Sequence, residues 1–231
     1  MIRIAVIAGT QVDTRMGVEY IEKKNSESGA AKFEPMYLPV SENCDEQIRF
    51  QYADAKTKRR RIDEIFDKAI AAGIQDFFIY CNSLSGAFDF DTYAPEKSEE
   101  AGREIRIYTP LRIYRQLGKR FRRVGAVAAH NLSTHNIEAA LMSENEDLYM
   151  IGSGNMAIVS AIEEGLAPAD IVRECGLEYM VKYMERCGCE ALILGCTHFP
   201  YIREELDKIC RLEIIDPADE MYKAMCEANN I

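Results

Sequence analysis

Short apolar runs of strand length alternate with longer segments of helical periodicity along the chain. The first run, Ile2 to Ala8, is apolar apart from Arg3, which is typical of a strand covered on both faces of a parallel sheet. Similar runs predict further strands at Phe33–Val40, Phe77–Tyr80, Ile105–Tyr108, Val124–Ala128, Leu148–Ile151, Ala191–Leu194 and Leu212–Ile215. Helical periodicity predicts helices at Met16–Lys24, Gln47–Ala72, Pro110–Leu117, Met156–Glu164, Ala169–Cys187, Pro200–Leu206 and Pro217–Ala228. This alternation predicts an α/β fold with doubly wound parallel sheets and a site at the carboxyl ends of the strands.

Two segments are predicted to be irregular. Residues 83–100 contain Gly86, Pro95 and several acidic residues, and are interpreted as a long loop that covers the site. Residues 130–135 are interpreted as the loop after the strand Val124–Ala128.

The second half of the chain repeats the first. Residues 73–83 align without a gap on residues 188–198, with glycine on glycine and Cys81 on Cys196. The offset is 115 residues, half of the 231-residue chain, and the strands at Ile4 and Val124 also resemble each other. A period this long indicates an internal duplication of an α/β lobe rather than a solenoid.

Cys196 is a candidate catalytic thiol. It follows an apolar run and Gly195, and it precedes Thr197, His198 and a predicted helix. Glycine permits a sharp bend, a helix N-terminus favours a thiolate, and a histidine two residues later can assist proton transfer. A buried structural cysteine at a strand end is the alternative that this motif alone leaves open.

The two cysteine segments together resemble the cofactor-independent aspartate/glutamate racemase family, and its glutamate racemase branch most. That family carries one cysteine in Cys-Asn-Thr and the other in Gly-Cys-Thr-His-(Phe/Tyr)-Pro. The matches in this chain are Cys81-Asn82-Ser83 and the segment from Gly195 to Pro200. A third match is Val159 to Gly165, which resembles the Val-Pro-Leu-(Ile/Ala)-Glu-Glu-Gly segment of the family.

The resemblance implies two similar lobes with the active site between them. Residues 1–95 with 208–231 would form the first lobe, which carries Cys81, and residues 105–207 the second, which carries Cys196. The implied function is racemisation of an amino acid by proton transfer between the two cysteines, without a cofactor or a metal. Glutamate or aspartate is the implied substrate, and members of the family are often homodimers.

The resemblance also implies roles for the residues around the thiols. His198 would stabilise a thiolate or a proton in transit, with Glu163 as a candidate to orient it. The residues implied to bind substrate are Thr10, Gln11, Asn82, Ser83, Ser133, Thr134 and Thr197. Short polar residues at such turns also commonly satisfy local backbone groups, which is the alternative interpretation of these positions.

The chain departs from the family in three recognition loops. The family's Asp-Ser-Gly-x-Gly-Gly loop is replaced by residues 8–13, in which Asp13 is expected to substitute in part for the family's loop residues. The family's Pro-Tyr-Gly is replaced by residues 39–41, and its Ala-Thr-x-Gly-Thr by residues 128–132. His130 and His135 have no counterpart in the family and are interpreted as loop histidines.

Composition excludes several classes of function. The net charge of −10 argues against binding to nucleic acids or anionic membranes. No apolar stretch has the length of a membrane span, and a first strand at Ile2 leaves no room for a signal peptide. The eight cysteines are then expected to be mostly free thiols in a reducing compartment, the cytoplasm. Cys187 and Cys189 form a close pair, but no second pair at zinc spacing accompanies them, so a metal site is not expected there.

Two other functions remain open at the level of the sequence. One is a different carbon-acid isomerase of the same superfamily, such as a hydantoin racemase or a maleate isomerase. The other is a catalytically silent ligand-binding protein that keeps the fold, which the altered loops favour and the intact cysteine pair opposes.

Overall fold

The computed structural model describes residues 1–29 and 31–231 and divides the chain into two compact units. The first unit comprises Met1–Pro110 with Met221–Ile231, and the second comprises Leu111–Glu220. Each unit contains one four-stranded parallel sheet. The predicted α/β fold with parallel sheets is confirmed.

The first sheet has the strand order β2-β1-β3-β4. Its strands are β1 (Ile2–Ala8), β2 (Phe33–Pro39), β3 (Asp76–Ile79) and β4 (Arg106–Tyr108). The helices along this part of the chain are α1 (Gln11–Glu27), α2 (Cys44–Tyr52), α3 (Ala55–Ala71), α4 (Asn82–Ala87), α5 (Phe90–Ala101) and α6 (Pro110–Gly118). Residues Ile4 to Ala8 of β1 are fully buried, as their continuous apolar pattern predicts.

The second sheet has the corresponding order β6-β5-β7-β8. Its strands are β5 (Arg123–Ala128), β6 (Tyr149–Gly154), β7 (Ala191–Gly195) and β8 (Glu213–Ile215). The helices along this part are α7 (Asn131–Met142), α8 (Met156–Glu163), α9 (Pro168–Glu174), α10 (Leu177–Arg186), α11 (Arg203–Ile209) and α12 (Pro217–Ala228), with a 3-10 helix at Phe199–Ile202. The equal strand order is what a duplication predicts.

The glycines that align in the repeat occupy the same local structure. Gly73 and Gly188 have φ of +85° and +75°, in the left-handed region that favours glycine. The N–H of Gly73 bonds Ile70 O and the next N–H bonds Ala69 O, at 2.9 and 3.0 Å. The two bonds after α10 are equivalent, from Gly188 to Glu185 and from Cys189 to Met184. The same helix termination therefore precedes β3 and β7, the strands that lead to the two cysteines.

The unit boundaries differ from those expected. Residues 208–220 were expected with the first lobe, but β8 pairs with β7 of the second sheet, and the contacts assign these residues to the second unit. Residues 105–110 were expected with the second lobe. The division at Pro110 instead puts β4 in the first unit, where it pairs with β3.

Several helices also differ from the sequence prediction. Residues 83–100 are mostly helical rather than a loop, because Asp89 caps α5 by accepting the N–H groups of Asp91 and Thr92. The predicted helix 47–72 is two helices, since Asp54 starts α3 with a new cap. The predicted helix 169–187 is interrupted at Gly176, which has a φ of +69°. Residues 130–135 belong to α7 and its cap rather than to a loop.

Candidate active site

Cys81 lies at the carboxyl end of β3, directly before the first turn of α4. Its backbone is extended, with φ −164° and ψ 117°, and α4 begins at the next residue. The chain therefore passes from strand to helix at the thiol. The side chain is 4% exposed. A strand-to-helix turn therefore presents Cys81 in a nearly closed environment.

Polar groups from three parts of the first unit surround this thiol. Ser83 Oγ lies 3.3 Å from Cys81 Sγ, and Gln47 Nε2 lies 3.6 Å from it. Gln47 Nε2 also donates to Ser83 Oγ at 3.0 Å. The backbone N–H groups of Gly9 and Leu84 add further hydrogen bonds to the sulfur.

Burial raises the pKa of the Cys81 thiol, and the negative charge of Asp13 raises this pKa further. The hydrogen bonds from Ser83, Leu84 and Gly9 lower the same pKa, but they do not outweigh burial. The net effect favours the thiol form of Cys81 over its thiolate. Cys81 is suited to donate a proton, and it needs assistance before it can accept one.

The first loop, residues 8–13 at the end of β1 and the start of α1, is held by hydrogen bonds within it and to Tyr37 and Glu42. Thr10 caps α1 by accepting the N–H of Asp13 at 3.1 Å, and its hydroxyl donates to Asp13 Oδ2 at 3.0 Å. The side chain amide of Gln11 donates to the Glu42 carboxylate, and the hydroxyl of Tyr37 donates to Gln11 O at 3.0 Å. Thr10 and Gln11, both expected to bind substrate, thus already have protein partners that a ligand would have to replace.

Asn82 and Ser83 form the first turn of α4 beside Cys81. Asn82 is buried, and its backbone oxygen accepts the hydroxyl of Ser85 at 2.9 Å. Ser83 is half-buried and contacts the sulfur, as described above. The structure thus brings Ser83 to the thiol itself.

Cys196 occupies the corresponding position after β7, the strand of the second sheet equivalent to β3. Cys196 and Thr197 are half-buried, and a 3-10 helix follows them, so the α-helix predicted from Pro200 begins at Arg203. Gly195 has a packing role, because a Cβ there would lie 2.5 Å from Ile137 Cδ1 and 3.0 Å from Val127 O. The glycine lets the end of β7 approach α7 and β5 closely.

His198 connects Cys196 to a carboxylate. Its Nδ1 lies 3.7 Å from Cys196 Sγ, and its Nε2 lies 3.2 Å from Glu163 Oε1. The imidazole is 7% exposed, whereas Glu163, the last residue of α8, is exposed. The imidazole therefore lies between the Cys196 thiol and the Glu163 carboxylate, with one ring nitrogen toward each.

Ser133 and Thr134 lie buried in the first turn of α7, after β5. Nδ1 of His130 accepts the N–H of Ser133 at 3.2 Å, which makes His130 the cap of the helix. The hydroxyl of Thr134 donates to Asn131 O at 2.7 Å. The hydroxyl of Ser133 also lies 3.4 Å from His130 Nδ1, so both side chains have partners within α7 and its cap. His135 is an exposed residue of the same helix.

The candidate residues form two sets, one at the carboxyl edge of each sheet. The first set comprises Cys81, Ser83 and the first loop, and the second comprises Cys196, His198 and Glu163. Sequence reasoning missed Gln47, because it lies 34 residues from Cys81 and no local motif marks it.

Within residues 1–29 and 31–231 there is no group of three or more His, Cys, Asp or Glu side chains that could hold a metal ion. The described part of the chain also contains no helix long and apolar enough to cross a membrane.

The chain is similar in sequence to proteins named glutamate racemase. The chain is 28% identical over 160 residues to glutamate racemase from Acidothermus cellulolyticus, covering 68% of this chain and 58% of that protein. It is 28% identical over 106 residues to glutamate racemase from Limosilactobacillus reuteri, covering 45% of this chain and 39% of that protein. The matches thus span less than two thirds of the length of these curated relatives. No family model matches the chain.

Solved structures of racemases share the fold. Glutamate racemase from Francisella tularensis in complex with D-glutamate superimposes with a TM-score of 0.65 at 22% identity, covering 99% of this chain and 82% of that one. Aspartate racemase from Picrophilus torridus superimposes with a TM-score of 0.63 at 14% identity, covering 100% and 95%. The solved structures support the shared fold, and the sequence matches support a resemblance of this chain to the aspartate/glutamate racemase family. The resemblance expected from the two cysteine motifs is thereby confirmed.

Proposed function

We propose that this protein is a cofactor-independent amino-acid racemase. Cys81 and Cys196 are its two catalytic bases, and an acidic amino acid, glutamate or aspartate, is its substrate. One observation carries the proposal: each of two sheets with the same strand order presents a cysteine at the carboxyl end of its corresponding strand, β3 or β7. The similarity to proteins named glutamate racemase supports it.

Racemisation needs a base on one face of the α-carbon and an acid on the other. A thiolate removes the α-proton, and the second cysteine, as a thiol, returns a proton to the opposite face. The two cysteines exchange roles when the other enantiomer is the substrate. Because a free thiol has a pKa of ~8.5, the protein must stabilise whichever thiolate acts as base.

The two cysteines receive this assistance from different groups. Cys196 has His198, which can hold the proton that leaves the thiol, and Glu163 stabilises the resulting imidazolium. Cys81 has no histidine among its contacts in the first unit, and its assistance consists of hydrogen bonds from Ser83, Gln47 and backbone N–H groups. Asn82, Ser83 and Thr197 would hold the α-carboxylate and ammonium groups of the substrate, with Thr10, Gln11, Ser133 and Thr134 completing its recognition.

NMR detection of α-proton exchange in D2O tests the proposal. Both enantiomers of glutamate, aspartate and a panel of other amino acids are offered to the wild type, to Cys81→Ala and to Cys196→Ala. We expect exchange with inversion for an acidic amino acid in the wild type, and loss of inversion in both variants. Inversion of a non-acidic amino acid would correct the substrate class, and no exchange with any amino acid would refute the racemase.

A further inference from the structure

Gln47 is a polar residue beside Cys81 that the sequence motifs do not include. It lies on α2 and is half-buried, with its side chain directed at the end of β3. Its carboxamide nitrogen lies 3.6 Å from Cys81 Sγ and 3.0 Å from Ser83 Oγ. One amide thus contacts both the thiol and the hydroxyl beside it.

The direction of these contacts determines what Ser83 can do. Because Gln47 Nε2 donates to Ser83 Oγ, that oxygen accepts, and the serine proton is left to donate elsewhere. Cys81 Sγ lies 3.3 Å away, and as a thiolate this sulfur can only accept. Gln47 therefore supplies one donor to the sulfur directly and orients a second donor, the Ser83 hydroxyl, toward it. Both donors favour the thiolate over the thiol.

The absence of a side chain at Gly9 leaves room for the Gln47 carboxamide beside Cys81. A Cβ at Gly9 would lie 1.9 Å from Gln47 Nε2 and 2.4 Å from Gln47 Cδ. The backbone N–H of Gly9 also bonds the Cys81 sulfur. A glycine at the end of β1 thus provides a donor of its own and leaves space for a second one from α2.

The negative charge of Asp13 acts in the opposite direction. Asp13 of α1 is the carboxylate that disfavours the Cys81 thiolate most strongly. Glu42 accepts the Gln11 amide, and Glu46 of α2 accepts the N–H of Glu42, so both of these exposed carboxylates lie close to the first loop. With burial and acidic neighbours both opposing ionisation, neutral donors are the groups in the first unit that favour it.

We propose that Gln47 is a positioning residue that promotes ionisation of Cys81, by donating to its sulfur and by orienting the Ser83 hydroxyl onto it. The catalytic meaning of this role rests on the proposed racemase function, in which Cys81 must act as a base for one enantiomer. The hydrogen-bonding role itself concerns the thiol alone.

The test is the pH dependence of Cys81 alkylation by iodoacetamide, followed by mass spectrometry of the peptide that contains Cys81. Gln47→Met removes the donor at similar size, and Gln47→Glu replaces it with a carboxylate. Gln47→Asn keeps the carboxamide but shortens the side chain by one methylene group. Gln51→Met makes the same substitution one turn later on α2 and is the matched control. Circular dichroism and thermal unfolding establish that each variant is folded.

We expect Gln47→Met to shift the Cys81 profile to higher pH and to slow its alkylation at pH 7 about fivefold, since a tenfold change corresponds to about one pKa unit. Gln47→Glu should slow it further, about twentyfold, because a second negative charge faces the thiolate. Gln47→Asn should fall between Gln47→Met and the wild type, and Gln51→Met should match the wild type.

Profiles of Gln47→Met and Gln47→Glu that superimpose on the wild-type profile would overturn the inference. Equal slowing in Gln51→Met would overturn it as well, because the effect would then arise from the packing of α2. Alkylation requires no substrate, so this result can be obtained whether or not the protein exchanges an α-proton. Failure of the racemase proposal and failure of this inference are therefore distinguishable.

Discussion

His198 lies between Cys196 and Glu163, with Nδ1 3.7 Å from the sulfur and Nε2 3.2 Å from the carboxylate. Among the described residues of its own unit, Cys81 has no such arrangement, and its side-chain partners there are Ser83 and Gln47. The two halves of the duplicated chain thus place a thiol at the same strand end but assist it differently. This difference leads to separate predictions for the two thiols.

Removing the charge of Glu163 should weaken the assistance to Cys196. Glu163→Gln keeps the size of the side chain but no longer stabilises a protonated imidazole. We expect kcat for racemisation to fall about tenfold, and His198→Asn to lower it about a hundredfold, within the range usual for loss of an acid–base group. The measurement is α-proton exchange with each enantiomer. Glu164→Gln, at the next and also exposed residue, is the matched control and should retain full activity.

Removing the charge of Asp13 should have the opposite effect on Cys81. Asp13 raises the pKa of this thiol through its negative charge, so Asp13→Asn should lower that pKa. The pH profile of iodoacetamide alkylation at Cys81 should shift to lower pH, and the rate at pH 7 should increase several-fold. Glu19→Gln, an exposed charge removal on the same helix, should leave the profile in place. A shift to higher pH in Asp13→Asn would contradict the assigned role.

A methyl group at Gly154 should destabilise the second unit. A Cβ there would lie 2.4 Å from both Asn131 N and His130 C, which are backbone atoms at the start of α7. We expect Gly154→Ala to lower the free energy of unfolding by about 2 kcal/mol, as typical overpacking does. At Gly152 on the same strand, the contacts of a Cβ are side chain atoms at 3.0 Å or more, so Gly152→Ala should cost less. Urea unfolding of both variants measures the difference, and equal costs would contradict this packing argument.

The buried ion pair at the amino end of β3 should be important for stability. Asp76 is 1% exposed and accepts two bonds from Arg106, at 2.8 and 2.7 Å, and one from Tyr108 at 2.9 Å. Asp76→Ala would leave the Arg106 guanidinium without this partner, at a cost of about 3 kcal/mol. Urea unfolding tests the cost, with Asp91→Ala at an exposed site as the comparison.

Features that depend on local patterns were predictable from the sequence. The mainly apolar run at residues 2–8 forms β1 with those bounds, and Pro217–Ala228 forms α12 with those bounds. Gly73 and Gly188, aligned by the repeat, end the preceding helices in the same conformation and lead to the two cysteine-bearing strands. The parallel sheets follow from the alternation of strands and helices.

Features that depend on contacts distant in sequence were not predictable. Pro95 and Gly86 favoured a loop over residues 83–100, whereas the Asp89 cap and tertiary packing make most of it helical, with Pro95 inside α5. β8 joins the second sheet through its pairing with β7, which no local pattern of residues 208–220 indicates. Gln47 lies on a half-exposed helix position, and only the folded chain brings its amide to Cys81.

The central claim is that each cysteine serves one face of the substrate. A 3-chloro derivative of the amino acid identified by α-proton exchange tests it, because removal of the α-proton leads to loss of chloride and no proton has to be returned. We predict that Cys81→Ala loses this elimination with one enantiomer and keeps it with the other, and that Cys196→Ala shows the reverse preference. Elimination from both enantiomers by either single variant would contradict the two-cysteine mechanism.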